Sequence, residues 1–173
     1  MSIDKLAKKI KLIIFDVDGV LTDGGLYFTD EGTEFKRFNS LDGHGIKLLK
    51  ENGIEPAVIS ARNSKSVNHR MKNLGVKHFY QGQSNKVVAF NELLEKLHIS
   101  ADEVAYMGDD VIDLPVMTKV GFAIAVANAH DLVKQNANLI TQKNGGQGAV
   151  REVCDFILKA QGKFDKAMAP YLQ

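Results

Sequence analysis

Cysteine is almost absent from this chain: Cys154 stands alone in 173 residues. A single thiol excludes an internal disulfide and any zinc site built from several cysteines, and it fits a reducing cytoplasm. Charge of one sign is missing as well, with 22 Lys and Arg against 21 Asp and Glu. A net charge of +1 supplies no overall field that would draw the chain to nucleic acid or to an anionic membrane, so attraction for an anionic ligand has to be local. Long apolar runs are lacking too. Lysines precede Ile10, but the run Leu12 to Phe15 stops at Asp16 and Asp18, too early for a signal peptide or a membrane span. Those lysines read as a solvated lead-in to a first strand.

What remains is an ordinary soluble composition, 45% hydrophobic and 25% charged, long enough for one domain with a sizeable core. Residues 1–173 show no repeat, low-complexity tract or linker, and the weak periodicity from Lys163 onward suggests a mobile tail. The apolar, β-branched run Lys11–Phe15 predicts a buried parallel strand. Leu26–Phe28 and Glu34–Phe38 flank the turn residues Thr29–Gly32 and predict a hairpin near residues 25–38. From Asp42 the pattern alternates: helix to Asn52-Gly53, strand Pro56–Ile59, helix Ser64–Leu74, strand His78–Tyr80, helix Lys86–Leu97, strand Val104–Met107. Leu114–Val120 and Phe122–Val126 repeat the unit, and Asp131–Gln135, Leu139-Ile140 and Val150–Gln161 close it. Parallel neighbours need crossover connections, so this alternation predicts an α/β fold with a doubly wound parallel sheet.

Open α/β sheets bind ligands beyond the carboxyl ends of their strands, which makes the polar residues after each strand the ones to collect. They are Asp16 and Asp18, then Ser60 and Arg62, then Lys86, then Asp109, Asp110 and Asp113. Carboxylates at i and i+2 share a direction while the backbone stays extended, and Gly19 then allows a tight turn. Such oxygen donors suit magnesium, through Asp16, Asp109 and a main-chain carbonyl near Asp18. Each residue also has a plainer use. Asp16-Val-Asp-Gly19 can be a polar turn, the later aspartates helix caps, Ser60 a turn residue, and Lys86 and Arg62 solvated charges. An acidic cluster at one sheet edge nevertheless repels itself unless a cation or Lys86 compensates it.

Read in order, Asp16-Val-Asp-Gly-Val-Leu-Thr-Asp-Gly24, Ser60, Lys86 and Gly108-Asp-Asp-x-x-Asp113 resemble the four motifs of the haloacid dehalogenase superfamily. Leu41-Asp-Gly-His-Gly-Ile46 and Gly145-Gly-Gln-Gly-Ala-Val-Arg-Glu152 look like its small 3-deoxy-D-manno-octulosonate 8-phosphate phosphatases. Ser60-Ala61-Arg62 departs from the relatives, many of which have glycine before the arginine; alanine is tolerated unless the backbone there needs positive φ.

The resemblance implies a magnesium-dependent phosphomonoesterase of lipopolysaccharide precursor synthesis with no large cap domain. Asp16 would be the nucleophile and Asp18 the proton shuttle. Ser60, Arg62 and Lys86 would hold substrate, Asp113 would orient Lys86 or the metal's waters, and Asp110 would reach the metal directly or through water. It also implies a homotetramer whose hairpins, bearing Leu26, Phe28, Phe35 and Phe38, associate centrally; by pattern alone the hairpin packs equally well on its own domain. Arg151 and the glycine-rich segment would contact substrate or a neighbour, or simply start a helix. A phosphatase for a nine-carbon sugar acid phosphate and, from another class, a phosphoacceptor receiver domain are the competing readings.

Overall fold

The computed structural model describes residues 2–172. Its first element is a helix, α1 (Ile3–Lys8), where the sequence suggested only a solvated lead-in. Lys5, Lys8 and Lys9 are indeed exposed, but Ile3, Leu6, Ala7 and Ile10 recur at helical spacing and turn inward. Next comes strand β1 (Leu12–Phe15), buried at every position, then the short hairpin strands β2 (Tyr27–Phe28) and β3 (Glu34–Phe35).

The alternation follows the expected order: α2 (Ser40–Glu51), β4 (Glu55–Ile59), α3 (Lys65–Leu74), β5 (His78–Tyr80), α4 (Lys86–Leu97), β6 (Val104–Gly108), α5 (Leu114–Met117) and β7 (Phe122–Ala125). It continues with α6 (Asp131–Gln135), β8 (Leu139–Ile140), α7 (Ala149–Ala160) and α8 (Phe164–Met168). Residues 164–168 are therefore helical, with a further turn over Ala169–Tyr171 whose Tyr171 hydroxyl lies 3.0 Å from His44 Nε2.

Six parallel strands lie in the order β5-β4-β1-β6-β7-β8. From β1 the chain proceeds to β4 and β5 on one side, then crosses back to β6, β7 and β8 on the other. Because crossovers are right-handed, reversing the direction of travel moves the connecting helices to the opposite face. Helices α1, α2 and α7 accordingly pack together, while α4 packs with α5. Reversal next to β1 opens a crevice at the carboxyl ends of β4, β1 and β6.

The hairpin pairs Tyr27 with Phe35 and Phe28 with Glu34 in a separate antiparallel sheet, and the Tyr27 and Phe35 rings stack with centroids 5.4 Å apart. Its apolar residues divide. Phe38 packs against the core, tied in by a bridge between its backbone and Thr22, whereas Leu26, Phe28 and Phe35 are more than half exposed at 61%, 57% and 51%.

Candidate active site

The loop after β1 is built for close approach. Asp16 continues the ladder through its N–H to the Met107 carbonyl at 3.0 Å, and the chain then coils through Val17–Leu21. Gly19 is required there twice over. Its φ is +93°, and a β-carbon would lie 2.0 Å from Asp109 Oδ2. Thr22 Oγ1 accepts from the Gly19 and Gly24 amides at 3.2 and 3.3 Å and so closes the loop on itself. The glycine-rich segment braces it from outside: Gly146 N–H donates to the Val20 carbonyl at 2.9 Å, and a β-carbon on Gly145 would overlap the Gly19 carbonyl oxygen at 1.6 Å.

Arg151 also has a helix-start role, because its N–H donates to Asp42 Oδ1 at 2.9 Å in the first turn of α7. The Leu41–Ile46 and Gly145–Glu152 motifs thus meet: one supplies the carboxylate that caps the helix of the other.

Lys86 opens α4, whose cap is Asn85, and the helix aims it under the sheet edge. The side chain is buried, contrary to its plainer reading as a surface charge. Its Nζ lies 2.6 Å from Asp16 Oδ1, 2.6 Å from Asp113 Oδ1 and 3.2 Å from the Tyr106 hydroxyl. Burial pulls the lysine pKa down, but the charges of Asp16 and Asp113 outweigh it and leave the group above its ordinary value. Tyr106, fully buried in the middle of β6, donates to Asp113 Oδ1 at 2.7 Å; burial and the Asp113 charge hold its phenol well above the usual range, so it stays neutral.

Two aspartates after β6 differ sharply. Asp113 is saturated: Lys86 and Tyr106 take Oδ1, while the amides of Asp109 and Asp110 donate to Oδ2 at 3.0 and 3.3 Å. Asp109 keeps a buried Oδ1 with no hydrogen-bond partner among the described residues. Burial, followed by the charges of Asp16, Asp113 and Asp110, pushes its pKa up to about 8. Asp16 rises to about 7, through burial first and Asp113 second, with Lys86 opposing. Asp110 is exposed and accepts from Val111 N–H at 2.7 Å as a cap.

These groups fit a hard divalent cation. Carboxylate oxygens of Asp16, Asp109 and Asp113 lie within 4.8 Å of one another, and among the described residues nothing satisfies the buried Asp109 oxygen. With Asp113 saturated, Asp16 and Asp109 remain as the carboxylates able to hold the ion.

A cavity of about 140 Å³ lies over them, lined by Asp16, Asp18, Ser60, Ala61, Arg62, Asp109, Asp110 and Ile112. Ser60 is buried at the end of β4, its N–H on the Tyr80 carbonyl at 2.9 Å, and its Oγ accepts from Arg62 N–H at 3.3 Å. Ala61 lacks positive φ; among the described residues His98 alone of the non-glycines has it. Arg62 reaches the cavity rim but donates to Glu34 Oε1 of the hairpin at 2.7 Å. Asp18 Oδ1 accepts from Lys36, also of the hairpin, at 2.5 Å.

Every residue collected from the strand ends therefore converges on one crevice. The sequence reading missed Tyr106, Lys36 and Glu34. Tyr106 lies inside an apolar strand, where the only signal is a hydroxyl in need of a buried partner. Lys36 and Glu34 belong to the hairpin, outside the repeating strand-helix unit that directed the search.

Residues 78–153 match the haloacid dehalogenase-like hydrolase family. The chain is 53% identical over 169 residues to the 3-deoxy-D-manno-octulosonate 8-phosphate phosphatase KdsC of Escherichia coli K12, covering 96% of this chain and 90% of that protein. Among solved structures, the phosphatase of that name from Yersinia pestis superposes with a TM-score of 0.93 at 48% identity, covering 94% and 88% of the two chains. The enzyme from Moraxella catarrhalis, solved with magnesium, phosphate and a KDO molecule, superposes with a TM-score of 0.95 at 46% identity, covering 98% and 97%. Fold, strand-end residues and identity over nearly the whole length agree, and this chain belongs to the 3-deoxy-D-manno-octulosonate 8-phosphate phosphatases of the haloacid dehalogenase superfamily.

Proposed function

We propose that the chain hydrolyses 3-deoxy-D-manno-octulosonate 8-phosphate to the free sugar acid and phosphate, with magnesium as its metal. The observation that carries this reading is the division of labour among buried carboxylates: Asp113 is saturated, Asp16 is held by Lys86, and Asp109 keeps one oxygen free. A signalling receiver domain is set aside by the family membership.

With Oδ1 of Asp16 held by Lys86, attack falls to its other carboxylate oxygen. That oxygen bonds to phosphorus as the bond from phosphorus to the sugar oxygen breaks, and the Asp18 carboxyl delivers its proton to the departing alkoxide. Asp18, now a carboxylate, takes a proton from water as that water attacks the aspartyl phosphate. Phosphate leaves and both carboxyl groups return to their starting states. Asp16 and Asp109 would hold the magnesium, which when bound would supply positive charge to offset the repulsion between an anionic ester and an anionic nucleophile. Lys86 offsets charge on Asp16 and the transferring group, Ser60 donates to a phosphoryl oxygen, and Asp113 with Tyr106 positions Lys86. Arg62 at the rim contacts the sugar acid, and Asp110 orders water near the metal.

The whole chain acts as one domain, and the exposed Leu26, Phe28 and Phe35 support assembly into a homotetramer through the hairpins. No helix among the described residues is long and apolar enough to cross a membrane, and a cytoplasmic location agrees with the lone buried Cys154.

Phosphate release from a panel of sugar phosphates, with magnesium and with chelator, tests the assignment. Strong metal-dependent preference for the eight-carbon ester supports it. Equal or greater use of a nine-carbon acid 9-phosphate would move the substrate, and absence of turnover on all members would overturn the enzymatic reading.

A further inference from the structure

Lys36 is the anomaly left by the site. It follows β3 on the hairpin, yet its side chain is only 2% exposed, a state lysine rarely occupies unless paired. Its ammonium lies 2.5 Å from Asp18 Oδ1 and 3.6 Å from Glu34 Oε1, and Glu34 in turn accepts from Arg62. Charges therefore alternate along Asp18, Lys36, Glu34 and Arg62. This chain runs from the loop after β1, across the hairpin, to the loop after β4. Asp18 and Arg62 both line the cavity.

We infer that Lys36 is a positioning residue for proton transfer: it holds Asp18 in one orientation and confines the transferable proton to the carboxyl oxygen that Lys36 does not occupy. An ammonium donating to Oδ1 leaves no place for a proton there, so the proton passed to the departing sugar oxygen, and later taken from water, resides on Oδ2. Without this contact the Asp18 side chain, 27% exposed, is free to rotate in water. Hairpin and catalysis are thereby coupled, because the segment that carries the exposed aromatics also sets the acid.

The inference rests on the role of Asp18 proposed above and is separable from the substrate assignment. Single-turnover release is measured for wild type, Lys36→Met and Lys36→Arg with two esters, 3-deoxy-D-manno-octulosonate 8-phosphate and p-nitrophenyl phosphate. The first leaves as a strongly basic alkoxide that needs a proton; the second leaves as a weakly basic phenolate that does not.

Lys36→Met is expected to slow sugar release by about tenfold to a hundredfold, a part of what general acid catalysis supplies, with KM moving less than about threefold. First-turnover nitrophenolate release should stay within about threefold of wild type, and Lys36→Arg should recover most of the sugar rate. Equal losses on both leaving groups, as from a merely structural tie, or no loss on either, would overturn the inference. If Lys36→Met does not fold by circular dichroism, Glu34→Gln carries the same comparison, since it loosens Lys36 without leaving a buried charge unpaired; a loss there that ignores the leaving group is equally fatal. Failure of wild type to use the octulosonate ester would sink the substrate assignment alone, and the comparison would then be read on another sugar phosphate that it accepts.

Discussion

Two ionic networks meet at this crevice, and they are built on different physical terms. The inner one, Asp16, Lys86, Asp113 and Tyr106, is almost wholly removed from water: its members are at most 4% exposed. The outer one, on the hairpin and the cavity rim, ends in an arginine whose side chain is 45% exposed. Inside, each charge depends on its partners because water cannot replace them, and removing one strands the rest. At the rim water competes for the bond between Arg62 and Glu34, so that pair contributes little, whereas the buried Lys36 further along the same network keeps its tie to Asp18. The first network fixes the charges around the nucleophile, while the second runs from a buried lysine that holds Asp18 to an exposed arginine suited to adjustable contact with a substrate.

The sharpest test of the inner network is Asp16→Asn, which should cost on the order of 10⁴-fold or more in turnover and abolish the covalent phosphoenzyme seen by mass spectrometry. Retained activity, with the asparagine confirmed intact, would remove Asp16 from its role. Lys86→Met comes next. It leaves Asp16 and Asp113 buried without their counter-charge and should destabilise the fold by about 3–5 kcal/mol in denaturant titration.

The pH response separates the networks further. Asp16 and Asp109 keep protons in the folded, metal-free protein up to about 7 and about 8, whereas both carry a starting value of 3.8 outside the fold. Between about pH 4 and 8 the folded state therefore binds more protons than the unfolded chain, and stability without metal falls as pH rises through that window. Magnesium competes with those protons, so its stabilising shift grows toward pH 8 and reaches about 2.7 kcal/mol at roughly 100 times its Kd. Thermal melts with magnesium and with chelator across this range check both slopes; a shift independent of pH would mean that the ion binds elsewhere. Arg62→Ala completes the comparison. Loss of its bond to Glu34 should change stability by less than about 1 kcal/mol, with any functional cost appearing in KM rather than kcat.

Much of this site was legible as spacing. Asp16, Ser60 and Asp109 each follow a run of buried β-formers, and a polar residue at the carboxyl end of a parallel strand has few destinations except the crevice. Lys86 opens a well-marked helix, and Gly19 announces a turn, though not that its missing side chain makes room for Asp109. The helix α1 escaped because it is only six residues long and its lysines interrupt the few apolar residues that carry its inner face. Tyr106 was indistinguishable from the apolar residues of β6, since its role depends on where the hydroxyl lands rather than on any local pattern.

By itself the sequence determined the alternation of strands and helices, the side of the sheet on which acidic groups gather, and the motif order that marks the family. Those are local properties, set by periodicity and by the chemistry of residues next to a strand end. Only the tertiary structure decided that Asp113 spends its oxygens on Lys86, Tyr106 and two amides, that Asp109 keeps one free, and that the hairpin returns Lys36 to Asp18. The physical reason is that a buried carboxylate's function lies in the hydrogen bonds it has left to make, and that remainder is settled by neighbours distant in the chain.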